Sequence, residues 1–230
     1  MTTIEQEAII KEYEVFLQNK EFPCVAAKAA MAKQHVHCIV ADHIACPKDD
    51  RAILQFLYNF IDVYRQAGDS FYSAAIIFAE PVTITEQLFD RYMWLRLQAL
   101  HNLDAQQFDY DERVSSDPAS ALFSFSLKKE AFFIIGLHAN NSRPARRFRY
   151  PALAFNPHAQ FDKLRRNNQY EKMKKIVRQR DEAVSGNINP MLADFGDISE
   201  VYQYSGQQYN TNWQCPLTIH HANTNRNSTP

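Results

Sequence analysis

Glycine is scarce in this chain, which has 5 glycines in 230 residues, whereas average usage would give about 16. Neither of the glycine-rich phosphate-binding patterns, GxGxxG and GxxxxGK[ST], occurs in the sequence. Such loops need glycine because their backbone N–H groups must approach a phosphate closely. The sequence therefore excludes the nucleotide-loop enzymes.

Net charge and long apolar runs are also lacking. The 25 Lys and Arg residues nearly balance the 26 Asp and Glu residues, which argues against a protein that grips nucleic acid or an anionic membrane through a basic field. No run approaches the roughly 18–20 apolar residues of a membrane helix, and the acidic N-terminal stretch does not resemble a signal peptide. We therefore expect a soluble, cytoplasmic protein with no nucleic-acid or membrane partner.

Cysteine is sparse and irregularly placed. The four cysteines, Cys24, Cys38, Cys46 and Cys215, form no CxxC pair. In a chain of this length such spacing is typical of reduced thiols and not of a disulfide scaffold.

Large aromatic residues are abundant, with 16 Phe, 11 Tyr and 2 Trp, and helical and strand patterns alternate along the chain. This mixture and the absence of an obvious linker predict one mixed α/β (α+β) domain over residues 1–217, followed by a flexible tail over 218–230. We expect a mixed sheet with packed helices enclosing an apolar pocket. The predicted elements are strands at 35–41 and 71–78, a strand pair around Lys128–Glu130, a helix from Asp49 or Asp50 to Gly68, a helix opened by a Thr83/Glu86 capping box, and a helix that starts at Pro157 and breaks at Asn167–Asn168.

Two groups of histidines could carry chemistry. His35, His37, Cys38, His43 and Cys46 lie within twelve residues, and on a strand the first two imidazoles share a face, as in a metal site. An exposed strand face explains the same pattern.

The second group, His101, His138 and His158, lies at the ends of apolar elements. Singly, each is typical of a hydrogen-bonded structural histidine. Together they suggest imidazoles beside one apolar interior, which is what a haem requires.

Charged residues supply further candidates. Arg143, Arg146, Arg147 and Arg149 form a dense cationic segment that suits carboxylates or phosphates, although a solvated loop would look the same. Carboxylates beside apolar segments, Asp104, Asp117, Glu86 and Glu200, could pair with a cationic substrate or serve as caps and salt-bridge partners.

Eight segments carry a family resemblance. They are FPCVAAKAA (22–30), SSDPASALFSFSL (115–127), AFFIIGLH (131–138), SRPARRF (142–148), FNPHAQFDKLR (155–165), RDEAVSGNINPMLADFG (180–196), SEVYQYSG (199–206) and WQCP (213–216). In order and spacing they resemble the YqcI/YcgG family over about residues 20–217. The chain departs from the family pattern at Lys128-Lys129, where small glycines are expected.

The resemblance implies a haem-dependent N-oxygenase. Characterised members hydroxylate a guanidine nitrogen of arginine or a related amino acid, as in guanitoxin biosynthesis. A b-type haem, O₂ or a peroxide as co-substrate, a small guanidino or amino substrate and an electron donor are implied. A homodimer is an open expectation.

The resemblance also suggests roles for individual residues. His101 is favoured as the axial iron ligand because of its helical setting, with His138 and His158 as alternatives or as catalytic groups. Arg143, Arg146 and Arg147 are candidates for the haem propionates, and Asp117 or Glu200 for the guanidinium. Two other functions stay open: a non-catalytic haem- or small-ligand-binding protein, and a metal enzyme that uses His35 and His37.

Overall fold

The computed structural model describes residues 1–68, 71–187, 191 and 194–220. Within them, the chain forms seven α-helices and five strands. The helices are α1 (Thr3–Gln18), α2 (Val25–Ala32), α3 (Asp50–Ala67), α4 (Glu86–Asp104), α5 (His158–Arg166), α6 (Tyr170–Ser185) and α7 (Val201–Tyr204); the strands are β1 (Val36–His43), β2 (Ser73–Glu80), β3 (Phe125–Leu127), β4 (Glu130–Leu137) and β5 (Ala152–Pro157).

The five strands form one mixed sheet in the order β1-β2-β5-β4-β3. β1 and β2 are parallel, and the crossover that parallel strands require contains α3. The other three pairings are antiparallel. The prediction of a single mixed α+β domain is confirmed.

Both faces of the sheet are covered. Alternate β2 residues Ile76 and Phe78 pack in a core with α3 and α4, whereas Ala75 and Ile77 pack in a second core with α1. A strand buried on both faces needs apolar side chains at consecutive positions, which explains the uninterrupted apolar run of β2.

The structure confirms some of the predicted helix boundaries and corrects others. Gly68 ends α3, as predicted, and adopts the left-handed conformation. Asn168, with φ 54°, separates α5 from α6. The predicted Thr83/Glu86 capping box is wrong, because Thr85 is the N-cap of α4 and its side chain accepts from the N–H of Leu88. Pro157 is the residue before α5 and not its first residue.

Two further predictions concern the membrane and the tail. In the described part of the chain, no helix is long and apolar enough to cross a membrane. The predicted tail begins within the described residues, but its last ten positions, 221–230, lie outside them.

Gly136 on β4 allows a close approach between the sheet and α4. A Cβ atom at this position would lie 2.6 Å from Cε1 of Phe89 and 3.1 Å from the carbonyl oxygen of Tyr204. The Phe89 ring in turn stacks on the His138 imidazole, with a centroid distance of 4.5 Å. A side chain at position 136 would therefore displace a fully buried ring.

We expect Gly136→Ala to lower the free energy of unfolding by about 1–3 kcal/mol, the usual cost of overpacking a core. Urea denaturation of the wild type and the variant measures this difference in the free energy of unfolding. The double variant Gly136→Ala/Phe89→Leu should lose less than the sum of the two single variants, because the smaller side chain removes the clash. Strict additivity would contradict the packing explanation.

Candidate functional site

A cavity of about 260 Å³ lies between the sheet and the helices α2, α5 and α6. Phe133, Ile135 and Leu137, at alternate positions of β4, form its apolar wall. α6 closes the opposite side with a helical stripe of side chains, which comprises Tyr170, Met173, Lys174, Val177, Arg178 and Asp181.

The cavity brings together part of the predicted site. Arg143, Arg146, His158 and Glu200 line it, although they come from three separate segments of the chain. Cys24 also lines it, and its sulfur accepts from the N–H of Ala27 as the N-cap of α2. Burial raises the pKa of this thiol, which favours the neutral form.

His158 is the buried imidazole of the cavity, with 4% of its surface exposed. Its Nδ1 lies 3.5 Å from Asp162 Oδ2, one helical turn further along α5, and its Nε2 lies 3.5 Å from Glu200 Oε1. Burial alone would lower the pKa of His158, but the two carboxylates outweigh burial and raise it to about 9. The imidazole is therefore charged at neutral pH in this arrangement.

Two hydroxyl groups from the protein core hold the Glu200 carboxylate in place. Its Oε2 accepts from the Ser124 hydroxyl at 2.7 Å and lies 3.3 Å from the Tyr204 hydroxyl. Its Oε1 faces His158. Because α7 packs on β4 immediately after Glu200, this carboxylate is fixed between the core and the cavity.

Cationic side chains outnumber carboxylates in the cavity wall. Arg143 donates from Nη2 to Asp181 at 2.6 Å, and Arg146 donates to the carbonyl of Tyr204 at 3.0 Å. Burial, followed by the charge of Arg143, lowers the pKa of Arg146 to about 10. The lining cations are Arg143, Arg146, Arg165, Lys174 and Arg178; the lining carboxylates are Asp181, Asp194 and Glu200. The surplus of positive charge suits an anionic ligand group.

His138 lies outside the cavity lining and is fully buried. The Asn141 side-chain oxygen accepts from the N–H of Arg143, so its amide nitrogen donates to His138 Nε2 at 3.1 Å. Burial lowers the pKa of His138 to about 4, so the ring is neutral. This histidine holds the loop after β4 that presents Arg143 and Arg146.

The other predicted haem-site residues lie elsewhere. His101, at the end of α4, accepts at Nε2 from the backbone N–H of His220 at 2.8 Å and contacts the ring of Tyr110. Asp117 is exposed and accepts from the N–H of Ala119 in a turn. Arg147 is exposed and donates to the carbonyl of Asn141. None of the three is among the residues that line the cavity.

His35, the residue before β1, and His37 on β1 both stack on Tyr72, with centroid distances of 4.0 Å for His35 and 6.4 Å for His37. The two rings therefore lie on one side of the chain, as predicted, although the strand begins one residue later than predicted. Burial, followed by the charge of His35, lowers the pKa of His37. Among the described residues, no group of three or more His, Cys, Asp or Glu side chains is arranged to hold a metal ion. The metal-enzyme alternative has no support from this geometry.

Asp162 and α6 contribute to the site, although neither was predicted from the sequence to do so. Asp162 follows His158 by four residues in the motif FNPHAQFD, and this spacing places both side chains on one helix face. Once a helix is predicted from Pro157, this spacing indicates that His158 and Asp162 are neighbours. No local pattern marked α6 as a wall of the cavity.

Fold and site together define a mixed α+β protein with a half-enclosed cavity, whose wall carries one buried imidazole and a surplus of cationic side chains. The model of the YqcI/YcgG family matches residues 13–218, which is most of the 230-residue chain. The chain belongs to the YqcI/YcgG family. No curated protein and no solved structure matches it.

The raised pKa of His158 predicts a pH-dependent stability. An unfolded histidine titrates near pH 6.5, whereas His158 titrates at about 9 in the folded protein. The folded state therefore binds more protons between these values, and the free energy of unfolding should fall as pH rises through this window, by up to about 1.4 kcal/mol per pH unit.

Urea denaturation from slightly acid to alkaline pH measures this slope, and the His158→Gln variant should lack it. Glu200→Gln should move the end of the window to lower pH, because one of the two carboxylates that stabilise the imidazolium is gone. Identical slopes in the wild type and in His158→Gln would contradict the assignment.

Proposed function

We propose that this chain is a haem-dependent N-oxygenase that hydroxylates a guanidino nitrogen of arginine or a related amino acid, and that the cavity around His158 is its reaction centre. The observation that carries the proposal is the pairing of His158 with two carboxylates. Asp162 lies at Nδ1, and Nε2 faces the cavity beside Glu200. Family membership adds to it, because the match to the family model spans all the residues that line the cavity.

The chemical character of the cavity residues suits a haem. An axial histidine must be neutral at its ligating nitrogen, and its other nitrogen is ordinarily oriented by a carboxylate or a carbonyl. His158 has this second partner in Asp162. The Nε2 atom of His158 becomes available to a ligand when the imidazolium loses one proton and its contact with Glu200 is broken. His101 fits less well, because its Nε2 already accepts from a backbone N–H.

Two of the cationic side chains that line the cavity suit the haem propionates. Arg143 and Arg146 are presented together by the loop after β4, at the end of the apolar wall formed by Ile135 and Leu137. Guanidinium groups bind carboxylates bidentately. We assign the propionates to this pair and not to Arg147, which is exposed and is not among the lining residues.

Glu200 is assigned to the guanidino substrate. In the structure it pairs with the His158 imidazolium, and a substrate guanidinium would replace that charge when His158 is neutral. When bound, the haem supplies activation of O₂ or of a peroxide. Overall, O₂, two electrons and two protons convert the N–H to N–OH and release water, so an electron donor is required. The apolar β4 wall keeps bulk water from the reacting nitrogen.

The pocket volume sets a condition on this function. Small-molecule pockets commonly measure about 300–1,000 Å³, and this cavity measures about 260 Å³. α6 contains no fully buried residue, and the ion pairs Arg143–Asp181 and Lys174–Asp194 connect it to neighbouring segments. A haem needs a larger cavity than this one, and we propose that an outward shift of α6 enlarges it.

Hemin titration tests the cofactor. The wild type should develop a Soret band with a histidine-ligated spectrum, and His158→Ala should lose it or bind hemin at least tenfold more weakly, as in other sites that lose a metal ligand or its support. His101→Ala is the matched control and should retain the band, because His101 lies outside the cavity. A band that survives in His158→Ala and disappears in His101→Ala would overturn the assignment.

Arginine-induced spectral change tests the substrate. Adding L-arginine to the haem-loaded wild type should shift the Soret band, and Glu200→Gln should weaken arginine binding by about 2–5 kcal/mol, the usual cost of losing a buried charged partner. Asp117→Asn is the control and should leave arginine binding unchanged. Haem binding without any response to arginine, and without arginine-dependent oxygen consumption, would favour the non-catalytic haem-binding alternative.

A further inference from the structure

The two tryptophans of the chain belong to one connected group of rings that also contains Tyr204 and Tyr209. Tyr209 stacks on Trp213 with a centroid distance of 3.7 Å. Trp213 lies 5.9 Å from Trp94, and Trp94 lies 6.0 Å from Tyr204. Trp and Tyr are the side chains that lose an electron most easily without forming a covalent bond, so this is an unbroken series of oxidisable groups. We call these four residues the aromatic chain.

The aromatic chain starts at the cavity. Tyr204 is fully buried, and its ring lies 6.0 Å from the ring of Phe133, which lines the cavity. Its hydroxyl is 3.3 Å from Glu200 Oε2, and the other oxygen of that carboxylate faces His158. One end of the chain therefore reaches the residues to which we assign the haem and the substrate.

The other end reaches the surface. Trp94 is buried, whereas Trp213 and Tyr209 are partly exposed and lie in the segment that follows α7. This arrangement gives a path from the cavity wall to the protein surface.

Each tyrosine in the aromatic chain has a carboxylate beside its hydroxyl. Tyr209 donates a hydrogen bond to Asp90, and the indole N–H of Trp94 donates to the same carboxylate at 3.0 Å. Tyr204 has Glu200. A phenol becomes a strong acid when it loses an electron, so oxidation of tyrosine is easiest where a base can take the proton. Packing alone explains the ring contacts, but it does not require a carboxylate at both phenols.

We propose that Tyr204, Trp94, Trp213 and Tyr209 carry single oxidising equivalents from the cavity to the protein surface. The inference rests on the proposed function for the source of the oxidant, which is a peroxide-derived one-electron oxidant in the cavity. The oxidant gains one electron from Tyr204, whose phenolic proton passes to Glu200. Electron transfer from Trp94, Trp213 and Tyr209 in turn, with the Glu200 proton returned to Tyr204, leaves a neutral phenoxyl radical at Tyr209 and its proton on Asp90. A reductant in solution, such as a thiol, then restores Tyr209.

The direction of transfer follows from the chemistry of the rings. Tyr and Trp give up an electron only to a strong oxidant and do not accept one from a biological reductant. The aromatic chain therefore does not deliver electrons from a reductase. It protects the cavity by removing an oxidising equivalent that is not consumed by the substrate.

The first experiment needs no haem. In pulse radiolysis, azide radicals at neutral pH oxidise tryptophan preferentially, and both tryptophans of this protein lie in the aromatic chain. We expect the indolyl radical absorption to decay while the phenoxyl radical absorption rises, at a rate that does not depend on protein concentration. Tyr209→Phe and Asp90→Asn should each slow this intramolecular transfer several-fold.

Tyr202→Phe is the matched control. Its ring also contacts Trp213, at 5.1 Å, but within the described part of the chain its hydroxyl has no carboxylate partner. This variant should transfer at the wild-type rate, and circular dichroism verifies that each variant is folded. Equal rates in wild type, Tyr209→Phe and Asp90→Asn would overturn the proposal.

The second experiment uses the haem-loaded protein and hydrogen peroxide, with a nitrone spin trap and peptide mass spectrometry to locate radicals. The adduct should form at Tyr209 or Trp213. It should fall several-fold in Trp94→Phe, while bleaching of the haem by peroxide becomes faster. Adducts and bleaching that are unchanged in Trp94→Phe would overturn the proposal even though the Soret band forms. If no haem binds, the proposed function fails, and the radiolysis result still decides whether the aromatic chain conducts.

Discussion

The position of Glu200 is the constraint on which the site depends. A carboxylate with 5% of its surface exposed is tolerated only when its oxygens are satisfied. The Ser124 and Tyr204 hydroxyls satisfy Oε2, and the His158 imidazolium satisfies Oε1. Breaking a buried pair of this kind by removing one partner commonly costs about 3–5 kcal/mol. The start of α7, the residue before β3 and the start of α5 are thereby tied to one another.

The short β3 strand makes this arrangement possible. β3 pairs only with residues Glu130–Phe132 of β4, so the rest of that β4 edge is open to α7. The turn between the two strands has positive φ at both Lys128 and Lys129, the geometry of a type I′ hairpin, in which glycine is ordinarily favoured. Hydrogen bonds from Arg65 to both turn carbonyls and the Lys128–Asp62 ion pair stabilise it.

The fold was more predictable from the sequence than the site. The apolar run of β2 and the left-handed Gly68 are local signals, and both identify elements correctly. The choice among His101, His138 and His158 is not local, because all three follow apolar segments and differ only in which side of the sheet they reach. His158 comes from the end of β5, beside the cavity face of β4, whereas His101 packs against Tyr110 and His220. Only the strand order and the position of α4 distinguish them.

Under the proposed function, cofactor and substrate binding are coupled through one carboxylate. Ligation of iron requires a neutral His158, and the proton that holds Glu200 in its present pair must leave. Glu200 is then a buried charge without a cation, which is unfavourable by several kcal/mol. A guanidinium restores the pairing, so the cavity should bind its substrate more tightly when His158 is ligated than when it is protonated, and the effect is reciprocal. A single buried imidazole–carboxylate pair would thus give the cavity a preference for a cationic substrate when His158 is neutral.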